Sequence, residues 1–287
     1  MEQRNITDLP FEVLDLIFES CQYLRYKVDL AQVNEKMGDA FAYHCRNEFR
    51  RLSPNQRLTT ELWVFLIRKC GHSVEELIFD GLGNYWDDVI AQAVLDHCPN
   101  LKSLSTCFYR SHQGQVHAFL EKMKDVLISV ELEQRQRFSA TILEAVESLS
   151  LRLCDFSMEL PDCPKLRSLD IYFNTSNIEG YHLRFIIKNG KNITTLREKC
   201  EPPINADGFL KLLRGCPKLR EFYTPMEYIK LYLGYVSTIV EILKDNGVTP
   251  ENPFKLVICS LIKWKWFRRL LLRVPDANLI DLYVISE

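Results

Sequence analysis

The sequence lacks several features that would assign a protein to a functional class at once. It has no run of about 18 apolar residues, so we expect no transmembrane helix. Its first residues, MEQRNITDLPFEV, lack the apolar segment that is typical of a secretory signal. Neither a GxxxxGKS/T loop nor GxGxxG occurs, which leaves nucleotide binding without support. Basic residues show no excess, since 36 Lys and Arg face 38 Asp and Glu, and we therefore expect no nucleic-acid partner.

Cysteine pairs at metal-ligand spacing are also missing, although the chain contains 10 cysteines. No CxxC occurs, which argues against a zinc ribbon and a thioredoxin-like site, and the six histidines show no metal-ligand spacing. We expect a reducing compartment, cytoplasmic or nuclear, in which the thiols stay unpaired and pack as small apolar side chains. The sequence shows no recognisable motif that pairs a nucleophilic side chain with a general base. The sequence therefore predicts no catalytic residue, metal or cofactor in this chain.

What the sequence does contain is an internal repeat. Three segments nearly copy one another: CPNLKSL at 98–104, CPKLRSL at 163–169 and CPKLREF at 216–222. Their apolar positions extend to an LxxLxL template that recurs nine times. The first residues of the nine units are Val74, Leu101, Leu127, Val146, Leu166, Ile193, Leu219, Phe254 and Leu279. Successive units are 19 to 35 residues apart, close to the roughly 20–29 residues of leucine-rich repeats.

A second pattern does not depend on those apolar positions. The third residues of successive units, which should point outward, are Glu76, Ser103, Ser129, Ser148, Ser168, Thr195 and Glu221. Five consecutive small hydroxyl residues at one repeat position predict a parallel sheet whose strands stack in chain order. We therefore predict an α/β fold for residues 53–287: a curved solenoid of about nine strand units, with the sheet on its concave face. The two shortest units leave no room for a helix, and we expect extended or 3₁₀ connections there.

Residues 1–52 do not fit the repeat. The stretch ITDLPFEVLDLIFESC predicts a helix that starts near Pro10, because proline fits a first helical turn. Apolar residues follow at helical spacing: Val13, Leu14, Ile17 and Phe18, then Val28, Leu30, Val33 and Met37. One interpretation is a helical cap that closes the end of the solenoid, since terminal repeats need a polar cover.

The LPxExLxxIF string in this segment resembles an F-box. The matching residues are Leu9, Pro10, Glu12, Val13, Leu14, Ile17 and Phe18. The family's Val-Cys-Lys-x-Trp run is represented here by Val33-Asn34-Glu35-Lys36-Met37. The CPxLxxL segments resemble the cysteine-containing leucine-rich repeats that commonly follow an F-box. The two resemblances, in this order, cover nearly the whole chain.

The resemblance implies a three-helix module at residues 1–52 that docks on the Skp adaptor of a cullin–RING ubiquitin ligase. The implied adaptor-binding residues are Leu9, Pro10, Glu12, Val13, Leu14, Ile17, Phe18, Leu30, Val33 and Met37. The chain would then be a non-catalytic substrate-recognition subunit that joins the adaptor to an unknown protein substrate. The alternative is a non-ligase leucine-rich-repeat scaffold whose N-terminal helices only cap the solenoid.

A substrate site is predicted on the outward positions of the last units, where aromatic, apolar and charged residues replace serine and threonine. The predicted residues are Arg197, Glu221, Tyr223, Leu256, Ile258 and Tyr283. The alternative is that the 35-residue step between the units at 219 and 254 covers this wall. We interpret the basic segment KWKWFRRLLLR at 263–273 as a final amphipathic helix, with Phe267, Leu270 and Leu271 facing the core. A membrane-surface or acidic-partner helix is the other possibility.

Overall fold

The computed structural model describes residues 6–46, 48–53, 58–79, 86–108, 113–134, 143–152, 162–174, 180–201 and 203–285. The chain forms two compact units. The first comprises the residues up to Cys107 together with Gly114–Phe119, and the second comprises Phe108–Gln113 and the residues from Leu120 onward. In the described ranges, the helices are all too short or too polar to cross a membrane.

Three short helices open the first unit: α1 (Phe11–Ser20), α2 (Leu24–Ala31) and α3 (Glu35–Cys45). Helix α1 begins directly after Pro10, and α3 is capped by Asn34, whose Oδ1 accepts a hydrogen bond from the Met37 N–H at 2.9 Å. The rings of Phe18 and Phe41 meet at 5.6 Å in the core between α1 and α3. Burial of these apolar side chains holds the three helices together.

The same unit contains helix α4 (Thr60–Cys70), helix α5 (Asp88–His97) and strands β1 (Arg51–Leu52), β2 (Glu76–Ile78) and β3 (Ser103–Phe108). The three strands pair in parallel and in chain order. Helix α3 packs on α4, where the rings of Phe41 and Phe65 are 6.1 Å apart and Lys69 Nζ donates to Asp39 Oδ1 at 2.9 Å. The N-terminal helices therefore join the first strand–helix repeats in one core.

The second unit continues the alternation of parallel strands and helices. Its strands pair in chain order and are β4 (Ser129–Gln134), β5 (Ser148–Arg152), β6 (Ser168–Asn174), β7 (Thr195–Glu201), β8 (Glu221–Thr224), β9 (Phe254–Ile258) and β10 (Ile280–Val284). Its helices are α7 (Tyr181–Asn189), α8 (Ala206–Gly215), α9 (Leu233–Asp245) and α10 (Leu261–Leu271), while α6 (Gln113–Met123) contains residues of both units. The predicted α/β class with parallel strands is confirmed. The predicted connections of the two short units include 135–142 and 153–161, which lie outside the described residues.

The three Cys-Pro segments form the same turn. The N–H of Leu101 donates to the Cys98 carbonyl at 3.3 Å, and Leu166 and Leu219 repeat this bond to Cys163 and Cys216 at 3.1 and 3.0 Å. All three cysteines are buried, and none of the three forms a disulfide. Each cysteine therefore fills the core at the point where a helix or loop turns into the next strand, as the sequence predicts.

The predicted ladder of small hydroxyl residues is confirmed within each unit. Ser129, Ser148, Ser168, Thr195 and Glu221 are successive Cα partners across β4–β8, and Glu76 pairs with Ser103 in the first unit. The predicted register of the unit that begins at Phe254 is wrong by one residue. The prediction places Val257 beside Phe222, but Phe222 pairs with Leu256. The chemistry of β9 explains the error. Four of its five residues are buried apolar side chains on both faces, so alternation cannot set the register.

Two further expectations concern the C-terminal part. The step between β8 and β9 contains α9, which packs against α8 and α10 in the helix layer. Tyr283 on the predicted wall is 46% exposed, so the step does not bury it. The basic segment contributes to α10, in which Phe267 and Leu271 are buried while Arg268 and Arg269 are exposed. This arrangement matches the amphipathic-helix interpretation.

Candidate protein-binding surfaces

The F-box-like residues divide between the core and the surface. Leu14, Phe18 and Met37 are fully buried and hold the three helices together. Pro10, Glu12, Val13 and Val33 are exposed, and Leu9, Ile17 and Leu30 are half-buried. The sequence predicts these residues but not which of them are buried and which are exposed, because the apolar residues of α1 lie on several sides of the helix.

A strip of exposed and half-buried apolar residues begins just before α1 and continues along it. We call its residues Leu9, Pro10, Val13, Leu16 and Ile17 the α1 apolar surface. Leu16, which sequence reasoning missed, is 63% exposed, and Val13 is 38% exposed. Residues 13, 16 and 17 share one side of a helix because they are three and four positions apart. That spacing was the signal that could have identified Leu16. A strip of this kind on a folded helix is a typical protein-binding feature.

A polar network fixes α1 against its neighbours. His44 of α3 contacts Asp15 of α1 through Nδ1 at 2.7 Å and Lys27 of α2 through Nε2 at 2.8 Å. An ammonium group can only donate, so Nε2 accepts from Lys27 and the Nδ1–H donates to Asp15. Asp15, Lys27 and His44 were not predicted as functional residues. Their network sets the orientation in which α1 presents its apolar surface.

The second candidate surface is the polar side of strands β5–β10, which we call the polar sheet face. Arg197, Tyr223, Val257 and Tyr283 are successive Cα partners across β7–β10. The Arg197 guanidinium lies 4.5 Å from the centroid of the Tyr223 ring. The Lys255 ammonium lies 5.6 and 5.5 Å from the ring centroids of Tyr223 and Tyr283. Cations and tyrosine rings thus alternate in a row formed by Arg197, Tyr223, Lys255 and Tyr283.

Hydrogen bonds hold the row in place. The Tyr223 hydroxyl and the Lys255 ammonium both donate to Glu221 Oε1, and the Tyr283 hydroxyl donates to Asp281 Oδ2 at 3.1 Å. Partial burial acts to raise the pKa of Glu221, but the bonds from Lys255 and Tyr223 outweigh it and hold that pKa below its usual value. Glu221 is therefore ionised at neutral pH and anchors the two donors.

A cavity of about 570 Å³ opens beside this row. Its lining residues are Glu133, Arg152, Asp170, Tyr172, Arg197, Lys199, Tyr223, Cys259 and Ile285. Three cations face two carboxylic acids there, and burial raises the pKa of Asp170 although Arg152 and Arg197 oppose the shift. The cavity combines a net basic character with tyrosine rings, which favours a ligand segment that carries acidic and apolar groups.

The predicted substrate residues separate into two sets. The structure brings Arg197, Glu221, Tyr223 and Tyr283 together on the polar sheet face. Leu256 and Ile258 are fully buried on the opposite side, so their predicted outward orientation is wrong; the one-residue register error in β9 is the cause. The cavity residues Arg152, Asp170, Tyr172 and Lys199 were missed. Each lies two or four residues after the hydroxyl-ladder residue of its own strand. The repeat pattern already assigns these positions to the outward face of the sheet.

Two clusters of potential metal ligands occur among the described residues, each with its ligand atoms within 4.8 Å of one another. The first consists of His44, Cys45 and Glu48, but both ring nitrogens of His44 are already hydrogen-bonded. The second is formed by His182, Glu198 and Cys200.

No family model matches the sequence, and no curated protein matches it significantly.

Proposed function

We propose that this chain is the substrate-recognition subunit of a Skp–cullin–F-box ubiquitin ligase. The observation that carries the proposal is the α1 apolar surface, which lies within the string that resembles an F-box. Its exposed residues include Val13 and Leu16, while the neighbouring Leu14 and Phe18 form the module's core. A folded helix with one buried and one exposed apolar side can bind a partner through the exposed side.

The competing interpretation is a scaffold whose N-terminal helices only cap the repeats. The packing of α3 on α4 agrees with a capping role, since Phe41 and Phe65 are in ring contact. A cap, however, needs a polar outer face to keep the end of a repeat array soluble. Leu16 is 63% exposed and Val33 is 67% exposed, which is the opposite of that requirement. These exposed side chains favour adaptor binding.

Substrate recognition is assigned to the polar sheet face. Tyrosine and arginine are frequent anchors of protein interfaces, and this face combines Arg197 with Tyr223 and Tyr283 beside the 570 Å³ cavity. We assign the cavity to a substrate segment that carries an acidic group, which Arg152, Arg197 and Lys199 would attract.

The receptor would act by proximity and would perform no bond chemistry itself. Holding a substrate near a ubiquitin-loaded conjugating enzyme raises the local concentration of substrate lysines, which converts a bimolecular encounter into an effectively intramolecular one. Catalytic groups would belong to other subunits of the ligase.

Affinity capture from cells tests the adaptor assignment. The tagged full chain should co-purify with the Skp adaptor and the cullin, and Val13→Glu combined with Leu16→Glu should abolish both. These positions are exposed, so the variant should melt like the parent protein. Leu272→Glu is a control, because Leu272 is 75% exposed and lies directly after α10, outside the α1 apolar surface. Capture of adaptor by the double variant at the parent level would remove the F-box proposal.

A further inference from the structure

Glu198 breaks the apolar pattern of the repeat core. It lies on β7 in register with Ile171 of β6, at the position that other strands fill with buried apolar side chains such as Leu151. Its exposure is 0%. The Cys200 N–H and the Thr224 hydroxyl donate to its two oxygens at 3.1 and 3.2 Å. A core carboxyl of this kind needs an explanation beyond packing.

His182 faces the same place from α7. It is 8% exposed, and its Nε2 is buried with no hydrogen-bond partner among the described residues. Leaving a buried polar atom unsatisfied is unfavourable, because the atom loses its hydrogen bonds to water and gains none in return. An imidazole nitrogen without a hydrogen-bond partner can accept a metal ion as its ligand partner.

Cys200 completes the cluster. It lies two residues after Glu198 on the same strand, and side chains two apart on a strand point to the same face. Cys200 is 3% exposed. The ligand atoms of His182, Glu198 and Cys200 all lie within 4.8 Å of one another.

We infer that His182, Glu198 and Cys200 form a binding site for a divalent transition-metal ion of the zinc class. Zinc accepts nitrogen, oxygen and sulfur ligands at about 2.0–2.3 Å, which places tetrahedral ligand atoms about 3.3–3.8 Å apart. Side-chain movements of about 1 Å would bring the three atoms to that spacing. A carboxylate and a thiolate together balance the charge of the ion, and the imidazole supplies the third ligand.

Binding displaces protons. The ion replaces the proton of the Cys200 thiol and that of the Glu198 carboxyl where it is present, and both protons leave to solvent. No oxidation or reduction is involved. Three protein ligands leave one coordination position for water or another donor.

The other cluster provides a contrast within the same chain. His44, Cys45 and Glu48 offer the same ligand types, but His44 Nδ1 and Nε2 are both engaged, by Asp15 and Lys27. Glu48 is also exposed. A metal ion there would have to displace an existing network, whereas Nε2 of His182 has no hydrogen-bond partner in the part of the chain that the structure describes.

Cobalt binding tests the inference without any assay of ligase function. The full chain, stripped with a chelator, is titrated with Co²⁺, whose thiolate charge-transfer band reports a sulfur ligand. The expected result is a band that saturates at one ion per chain and disappears when Zn²⁺ is added. Cys200→Ser should lose the band. Glu198→Gln, which keeps the size of the side chain, should weaken binding by at least ~10-fold, since even outer-sphere changes cost about 10–100-fold.

Matched controls are Cys216→Ser and Glu48→Gln, which should bind cobalt like the parent chain. If Cys200→Ser does not fold, zinc can be added to the stripped parent chain, whose melting temperature should rise because a ligand that binds only the folded state stabilises it. Absence of a charge-transfer band in the parent chain would overturn the site. A band that survives Cys200→Ser, or an unchanged melting temperature with zinc, would overturn it equally.

Discussion

At the scale of single residues, the central distinction lies between neighbours on α1. Leu14 is fully buried and Leu16 is 63% exposed, although both are leucines two positions apart. The sequence predicts an apolar helix here, but apolar residues on several sides hide which of them face the core. Only the packing of α2 and α3 decides the division, and that packing is a tertiary property.

A pair of substitutions checks this division. Leu14→Ala should lower the free energy of unfolding by about 2–5 kcal/mol, because it leaves a cavity in the core of the N-terminal helices. Leu16→Ala should change it by less than about 0.5 kcal/mol, as is usual at exposed positions. Urea denaturation measures both values. Equal losses of stability in the two variants would mean that α1 is not oriented as described.

The thiols provide a second prediction at this scale. Burial raises the pKa of Cys98, Cys163 and Cys216 to about 12, so at pH 8 these groups are protonated and weak nucleophiles. Native chain treated with iodoacetamide at pH 8 should be labelled first at the half-buried Cys21, and at the three buried sites only after denaturation. Peptide mass spectrometry reads this out. A native disulfide among the three would contradict both their packing role and the expected reducing compartment.

At the scale of elements, the repeat pattern predicts most strands and their register but misplaces β9. The strands from β4 to β8 alternate buried and exposed residues, and this alternation identifies the outward ladder. Strand β9 instead buries Phe254, Leu256, Val257 and Ile258. A strand that is apolar on both faces contains no register signal, so the error at Leu256 and Ile258 has a physical origin. The cluster around Glu198 could not be predicted, because His182 joins it only through the fold.

Close packing between repeat turns yields a prediction at Gly190. A Cβ there would lie 2.4 Å from the Gly215 carbonyl oxygen and 2.7 Å from Cys216 Sγ. Gly190→Ala should therefore lower stability by about 1–3 kcal/mol through overpacking. Gly234→Ala is the control, since its nearest neighbours are atoms of the exposed Tyr232 ring at 3.3 Å or more. Thermal melting compares them, and a Gly190→Ala chain as stable as the control would contradict the close approach.

At the scale of the whole molecule, the two candidate surfaces belong to different compact units. The α1 apolar surface lies in the first unit and the polar sheet face in the second. A receptor that joins two partners needs such separate surfaces, and substitutions on one should leave the other unaffected, because substitutions at sites that share no partner residues are usually additive.

Proximity labelling in cells tests this independence. Arg197→Glu combined with Tyr223→Ala should remove a subset of labelled partners, because it reverses a charge and deletes a ring beside the cavity. Adaptor capture should stay at the parent level. The control is Arg273→Glu with Tyr228→Ala, a pair of exposed residues outside the cavity. Identical partner sets for the two double variants would place substrate binding elsewhere.

Adaptor binding is measured most directly by calorimetric titration of the purified full chain with purified Skp adaptor. We expect one adaptor per chain and a negative heat-capacity change, the mark of apolar surface removed from water. Val13→Glu with Leu16→Glu should abolish the heat of binding while the melting temperature is unchanged. If the parent chain does not bind the adaptor, or if the double variant binds it equally, the chain is not an adaptor-bound receptor of the kind proposed.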